Sequence, residues 1–173
     1  MKKRMRQSGF TIVELLIVIV VIGILAAITI VAYNGIQTRA QTTKINSDLT
    51  MLDKAIKAAR VNENKALFNI TLSGYTANLC NTAANGTDLT DRGIAAINTC
   101  WTTYATTLDR ISTASGMNVR GLVDPWGRPY RIDENENETA GSCAKDNLST
   151  FLRPHVAGGF ENVRLVDNSI PGC

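Results

Sequence analysis

The sequence predicts an α+β protein, in which a long N-terminal α-helix, membrane-spanning in its first half, packs on a small C-terminal globular domain with an antiparallel β-sheet. An unbroken apolar run over residues 10–33 indicates the membrane-spanning part. An apolar stripe at helical spacing follows in residues 34–60, and short runs bounded by turns follow residue 116. The chain has 173 residues and is 45% hydrophobic, so residues 61–173 suffice for one globular domain.

Basic residues are concentrated at the N-terminus. The net charge is +3, with 18 Lys and Arg against 15 Asp and Glu. Four of the basic residues lie ahead of the apolar run, namely Lys2, Lys3, Arg4 and Arg6. Without them, 14 basic residues remain against 15 acidic ones. A nucleic-acid partner is therefore not indicated by charge, because binding to phosphates needs a clustered basic surface.

The apolar run has the length of a membrane span. Its 24 residues, with Glu14 as the only charge, make enough helix at about 1.5 Å per residue to cross roughly 30 Å of hydrocarbon. The basic residues before it place the N-terminus in the cytoplasm and everything after about Tyr33 outside. A cleaved secretory signal peptide fits less well, because its apolar region is only about 7 to 15 residues long.

Glu14 needs an explanation, because a carboxylate at the centre of a membrane helix costs about 2.5 to 3.5 kcal/mol. One interpretation is that its side chain simply reaches the cytoplasmic headgroups. The neighbouring residues favour another. Gly9, Phe10 and Thr11, followed by Glu14 behind a short basic leader, resemble the class III signal of type IV prepilins and type II secretion pseudopilins.

This resemblance covers residues 1 to about 35 and implies how the chain would be processed. Residues 1–9 would be a leader that a prepilin peptidase removes by cutting between Gly9 and Phe10, followed by N-methylation of Phe10. Glu14 would then be the fifth mature residue and would pair with the N-terminal ammonium of a neighbouring subunit. Since an acid and an amine are each costly when buried alone, such a pair specifies register more than it adds stability.

The resemblance also implies partners and location. The chain would be a single-pass protein of the cytoplasmic membrane, with its globular domain outside. It would then assemble into a helical homo-oligomeric filament at the cell surface, through an inner-membrane platform and its ATPase. No cofactor is implied, and pilus subunit and secretion pseudopilin both remain open.

One family position differs in the helix. The helix-kinking proline expected two residues before Tyr33 is replaced by Val31, while Gly23 is retained. Because valine keeps its backbone N–H, we expect less unwinding between Gly23 and Tyr33 than in relatives that carry proline.

Residues 34–60 continue the helix in amphipathic form. The apolar stripe has spacings of 4, 3, 4 and 3 and consists of Ile45, Leu49, Leu52, Ile56 and Ala59. It covers barely two heptads, so packing on the chain's own domain is favoured over an independent coiled-coil seam.

The globular domain is predicted to hold a second helix and a sheet. Residues 61–88 indicate a loop with one short strand at 68–72. A second stripe ends near Gly116 and includes Ile94, Ile97, Trp101, Tyr104, Leu108 and Ile111. We interpret its two aromatic residues as core packing and not as a ligand site. Strands are predicted at residues 119–123, 128–133, 149–156 and 162–167.

The four cysteines all lie beyond the span, in a compartment where thiols pair. Three connectivities are possible for Cys80, Cys100, Cys143 and Cys173. We favour Cys80 with Cys100 and Cys143 with Cys173, because each pair closes a local loop of about 20 to 30 residues, worth roughly 3 kcal/mol. The second pair is also similar to the disulfide-bounded loop of many type IV pilins. A metal site is not predicted from the cysteine spacing.

Two further segments bear on function. DPWGRPY, residues 124–130, resembles the DPWGNPY stretch of major secretion pseudopilins, and its turn would let Trp126 and Tyr130 pack at the sheet edge. The acidic run over residues 133–138 is a weak Ca²⁺ candidate whose spacing departs from an EF-hand loop, and we favour a solvated turn. Its candidate ligands would be Asp124, Asp133, Asn135 and Asn137.

No catalytic residue is predicted. The single histidine, His155, has no nucleophile arranged around it by any motif, and we expect a structural role. A tethered hydrolase thus lacks a site. A monomeric membrane-anchored binding domain remains the less favoured alternative, because it would need neither the glycine nor the acid.

Overall fold

The computed structural model describes residues 10–73, 75–136, 139 and 142–167, except for the side chains of residues 31, 32 and 34. The chain separates into two compact units, one ending at Thr42 and the other beginning at Thr43. The first unit is helical, and the second holds the remaining elements.

Helix α1 (Ile12–Glu63) begins in the first unit and is long and apolar enough to cross a membrane, by length and composition. It runs without a break through Gly23 and Tyr33, as expected for a helix without the proline. Every described large apolar side chain from Phe10 to Ile36 is at least 47% exposed. These side chains therefore have no core of their own, and lipid or other chains would have to cover them.

The apolar stripe in the second half of α1 packs in the core of the second unit. Its five members, Ile45, Leu49, Leu52, Ile56 and Ala59, are each 4% exposed or less. They share that core with α4 (Ala95–Ser115), which contributes Trp101, Tyr104, Leu108 and Ile111. Helix α4 ends where Gly116 takes a left-handed conformation at φ +71°, which glycine adopts without strain. The prediction of the first stripe is confirmed, and that of the second is confirmed from Ile97 to Ile111, whereas Ile94 precedes the helix and is 40% exposed.

Four antiparallel strands form the sheet in the order β1-β2-β3-β4. They are β1 (Tyr75–Thr76), β2 (Arg131–Asp133), β3 (Asp146–Phe151) and β4 (Phe160–Val166). The core contains Ile132, Leu148 and Val166 from the last three strands. The register of β3 and β4 shifts between Leu148 and Thr150, which marks a bulge. The predicted α+β class is confirmed.

The strand predicted at residues 68–72 is wrong. This segment forms a short helix, α2 (Leu67–Thr71), in which Leu67 and Thr71 are both buried. Their separation of four residues places them on one helical face, and the Thr71 hydroxyl donates to the Leu67 carbonyl at 3.1 Å. The helix ends at Leu72, which has φ +54°. The chain then enters β1 and a second short helix, α3 (Asn78–Asn81), which the sequence did not predict.

The strand predicted at residues 119–123 is also wrong, because side chains of α4 satisfy its backbone. The Val119 N–H donates to the Ser112 hydroxyl at 3.1 Å, and the Leu122 carbonyl accepts from the Tyr104 hydroxyl at 2.8 Å. These contacts bind the segment to α4, so its apolar residues pack in or against the core without joining the sheet.

Candidate assembly and processing site

Thr11 and Glu14 form a capping box at the start of α1. The Glu14 Oε2 atom accepts the Thr11 backbone N–H and the Thr11 hydroxyl, both at 2.8 Å. In return, the Glu14 N–H donates to Thr11 Oγ1 at 3.2 Å. The acid therefore satisfies donors that would otherwise be unpaired at the first turn. The Thr-x-x-Glu spacing is a sequence signal for this cap, but it was missed at positions 11–14.

Phe10 lies next to this cap, and its side chain is 89% exposed. Gly9 and the basic leader lie outside the described residues, so the predicted cut is a matter of sequence alone. Glu14 lies four residues after Phe10 in the sequence, and α1 begins between them at Ile12. Both hydrogen bonds that the Glu14 carboxylate accepts from Thr11 are made by Oε2, so an ammonium could approach Oε1.

The DPWGRPY segment connects several parts of the second unit. Asp124 Oδ1 accepts the backbone N–H groups of Trp126 and Arg128, at 2.9 and 2.8 Å. The Arg128 guanidinium binds Asp124 Oδ2 at 2.7 Å and donates to the carbonyls of Phe151 and Leu152, both at 2.9 Å. The turn is thereby tied to the end of β3.

Tyr130 ties the same segment to α1. The sequence predicted packing at the sheet edge, whereas the side chain of Tyr130 is fully buried and its hydroxyl donates to Asp48 Oδ2 at 2.7 Å. Burial, together with the nearby Asp48 carboxylate, raises the pKa of Tyr130, so the hydroxyl stays protonated and remains a donor. Trp126 is only partly buried and lies beside the guanidinium groups of Arg128 and Arg153.

Cys80 and Cys100 form the predicted disulfide, which links α3 to α4. Both cysteines are almost fully buried. Cys143 is not a free thiol, but Cys173 lies outside the described residues, so the pairing of Cys143 with Cys173 stays a prediction.

The structure does not assemble the weak Ca²⁺ candidate into an open site. The Asp124 carboxylate is occupied by Arg128, and the Asp133 carboxylate binds the Arg131 guanidinium at 2.7 Å. The Asn135 amide donates to the Lys145 carbonyl at 3.1 Å, and Asn137 lies outside the described residues. Within the described part of the chain, no three His, Cys, Asp or Glu side chains are placed to hold a metal ion.

His155 and the aromatic residues of α4 have packing contacts. The His155 Nε2 atom is 3.1 Å from the Ala83 carbonyl, and its ring meets Phe151 edge-on. Trp101 and Tyr104 lie edge-to-face, with ring centroids 6.0 Å apart, and the Trp101 N–H donates to the Leu89 carbonyl. These contacts agree with the structural roles expected from the sequence.

A buried group of charged residues was not anticipated. Arg60, Glu134, Glu136 and Asp146 are each 2% exposed or less. The acidic run that includes Glu134 and Glu136 was interpreted as a solvated turn, and no role was predicted for Arg60 or Asp146. Arg60 lies four residues after Ile56 and directly after Ala59, both of the stripe. This spacing is the sequence signal that could have indicated that Arg60 faces inward.

Comparisons with known proteins agree with these features. Residues 4–30 match the family described as the prokaryotic N-terminal methylation motif. The chain is 31% identical over 150 residues to the type IV major fimbrial protein FimA of Dichelobacter nodosus, covering 81% of this chain and 90% of the relative. It is 30% identical over 132 residues to type II secretion system core protein G of Aeromonas hydrophila, covering 76% of each.

A shorter similarity is confined to 53 residues. Over these, the chain is 47% identical to the type IV major alpha-pilin of Moraxella bovis, covering 31% of this chain and 33% of the relative. No solved structure matches the chain significantly. Because the two longer similarities extend across most of the chain, it belongs to the family of type IV pilins and type II secretion pseudopilins.

Proposed function

We propose that this chain is the structural subunit of a type IV pilus, cut between Gly9 and Phe10 by a prepilin peptidase. The observation that carries the proposal is the uncovered apolar half of α1, which begins at the Thr11–Glu14 cap. A filament would bury this surface among neighbouring helices after the helix leaves the membrane. As a structural subunit, the chain would have no catalytic role.

Glu14 would act after the cut. Once Phe10 is the first residue, its ammonium can approach the Glu14 carboxylate of a neighbouring subunit. Within an apolar bundle each charge penalises a neighbour in the wrong register until the two pair. The same carboxylate would continue to cap its own helix through Thr11, because one oxygen suffices for that bond.

The processing step is tested by Gly9→Leu. This variant should remain uncleaved in the membrane and form no filaments, because the residue before the cut is no longer small. Filaments formed by the Gly9→Leu chain would contradict the proposal.

The assembly step is tested by Glu14→Ala, with Thr29→Ala as a matched control. Thr29 is a polar residue in the same apolar run, and its hydroxyl donates to the carbonyls of Leu25 and Ala26 in its own helix. Glu14→Ala should be processed normally but assemble poorly, whereas Thr29→Ala should assemble. Normal assembly of Glu14→Ala would remove the role given to the carboxylate.

A second candidate is a pseudopilin of a type II secretion system. The DPWGRPY turn and the similarity to core protein G favour it. Deletion of the gene distinguishes the two: loss of surface filaments indicates a pilus, while accumulation of secreted proteins inside the envelope with surface filaments unchanged indicates a pseudopilus.

A further inference from the structure

Asn85 and Gly86 form an exposed turn between α3 and α4. An Asn-Gly pair is the dipeptide in which asparagine loses ammonia most readily, because glycine has no side chain to shield its backbone nitrogen. That nitrogen can attack the carbon of the asparagine carboxamide, so the sequence alone marks Asn85 as a reactive position. The chain contains one other such pair, Asn34–Gly35, which lies within α1.

The structure engages both reacting groups of this turn. The Gly86 N–H donates to the His155 carbonyl at 2.8 Å, and Asn85 Oδ1 accepts the Ala157 N–H at 2.9 Å. The attacking nitrogen is therefore bonded to a carbonyl, and the carboxamide under attack is held by another backbone group. Both hydrogen bonds must break before the Gly86 nitrogen and the carboxamide carbon can react.

Two further contacts join the same segments of the chain. The Gly158 N–H donates to the Asn81 carbonyl at 2.8 Å, and His155 Nε2 lies 3.1 Å from the Ala83 carbonyl. The His155 side chain is itself buried. We call residues 155–158 the strap. The strap makes four hydrogen bonds with α3 and the turn that follows it, so the turn becomes reactive only when the strap moves away.

We propose that Asn85 is a deamidation site whose reaction the strap controls. When the strap opens, the Gly86 nitrogen gives its proton to a base from the solvent and bonds to the carboxamide carbon of Asn85. The carboxamide nitrogen takes up a proton and leaves as ammonia. Water then opens the cyclic imide, which leaves aspartate or isoaspartate at this position. The proposal concerns the second unit alone and does not depend on the proposed function.

The reaction weakens the strap that restrained it. Isoaspartate adds a methylene group to the main chain, so the bonds to His155 and Ala157 no longer fit the same geometry. Either product also replaces a neutral carboxamide by a carboxylate, which is ionised at neutral pH. Because ammonia is lost, the change is not reversed. The fraction of converted chains therefore records the time that the strap has spent open.

Two rates measured on the full chain in detergent test the proposal. The Gly86 N–H must be released both to exchange with solvent deuterium and to attack Asn85, so its exchange gives the opening constant of the strap. Deamidation is followed by peptide mapping that separates isoaspartate. Asn85 should react more slowly in the folded chain than in the same chain unfolded in urea, by that constant and by at least about tenfold. Equal rates in the folded and unfolded chains would overturn the proposal.

Two variants of the strap test its control of the reaction. Ala157→Pro removes the N–H that holds the Asn85 carboxamide, so it should speed deamidation of the folded chain. Val156→Ala is the matched control, because this side chain is 41% exposed and its replacement keeps all four hydrogen bonds. It should react at the native rate. An unchanged rate in Ala157→Pro would refute the role of the strap.

The unaltered chain guards against misfolding of Ala157→Pro. When temperature is raised below the unfolding transition, deamidation at Asn85 should speed up in proportion to exchange at Gly86, after correction of both for their intrinsic rates. Asn34 provides an internal control, because its rate should be the same in the native chain and in both variants. Rapid exchange at Gly86 without deamidation at Asn85 would overturn the proposal whatever the behaviour of the variants.

Discussion

Replacing Arg128 by methionine removes the cation that ties the DPWGRPY turn to β3. The guanidinium is buried, pairs with the Asp124 carboxylate and donates to the carbonyls of Phe151 and Leu152. Methionine fills most of the volume but makes none of these bonds. Asp124 would keep only the two backbone N–H donors of its own turn, and two carbonyls would lose a donor.

The expected cost follows from these contacts. Removing one partner of a buried ion pair costs about 3 to 5 kcal/mol, and the surviving N–H donors place this case near 3 kcal/mol. At about 4 °C for each kcal/mol in a domain of this size, the Tm of the second unit should fall by roughly 12 °C.

Thermal unfolding followed by circular dichroism in the near-ultraviolet measures this change, because Trp126 and Tyr130 report on the packing of the turn. Arg153→Met is the matched control. Both arginines lie over the Trp126 ring, at 5.1 Å for Arg128 and 4.9 Å for Arg153, but Arg153 is exposed. Its loss should cost less than about 1 kcal/mol. Equal losses in the two variants would refute the assignment of the stability to the buried hydrogen bonds.

Three other predictions concern the second unit. Joint replacement of Cys80 and Cys100 by serine should lower the free energy of unfolding by about 3 kcal/mol in denaturant titrations, and an unchanged midpoint would contradict the structural role of the disulfide. Arg60→Met should cost about 3 to 5 kcal/mol at pH 7, since it leaves buried carboxylates unpaired, whereas Lys57→Met, which removes a partly exposed pair, should cost at most about 1 kcal/mol. The free energy of unfolding should fall as pH rises from 4.5 to 8, because burial raises the pKa of Glu134 to about 8 in the folded state. At 1.36 kcal/mol per pKa unit, the loss is about 5 kcal/mol at most. A free energy of unfolding that rises steadily over this range would contradict the prediction.

The sequence predicted the two long helices well, because burial leaves a periodic signal there, whereas the short helices α2 and α3 were not predicted. The residues of the first stripe, from Ile45 to Ala59, are buried as their spacing requires, and Gly116 ends the second helix. The strands were harder to predict. At residues 119–123, backbone groups of the segment are bonded by the side chains of Ser112 and Tyr104 in α4 and not by a neighbouring strand.

The charged interior could not be predicted from pattern. An arginine beside an apolar stripe usually faces solvent, and so does an acidic run. The tertiary fold brings Arg60 into contact with Glu136 and Asp146, which lie 76 and 86 positions further along the chain. The N-terminal signal differs, because its meaning lies in local order. Gly9, Phe10 and Glu14 needed no tertiary structure to indicate the family, which the long similarities then established.

The central claim, that the chain is cut and assembled into a filament, is tested most directly by the mass of subunits in filaments sheared from cells. Removal of nine residues from the 173 leaves 164, beginning at Phe10. The account predicts a single species of that length carrying one methyl group on the Phe10 nitrogen, with the mass of its cysteines in disulfide form. Recovery of the 173-residue chain, found only in the membrane and absent from any filament, would contradict it.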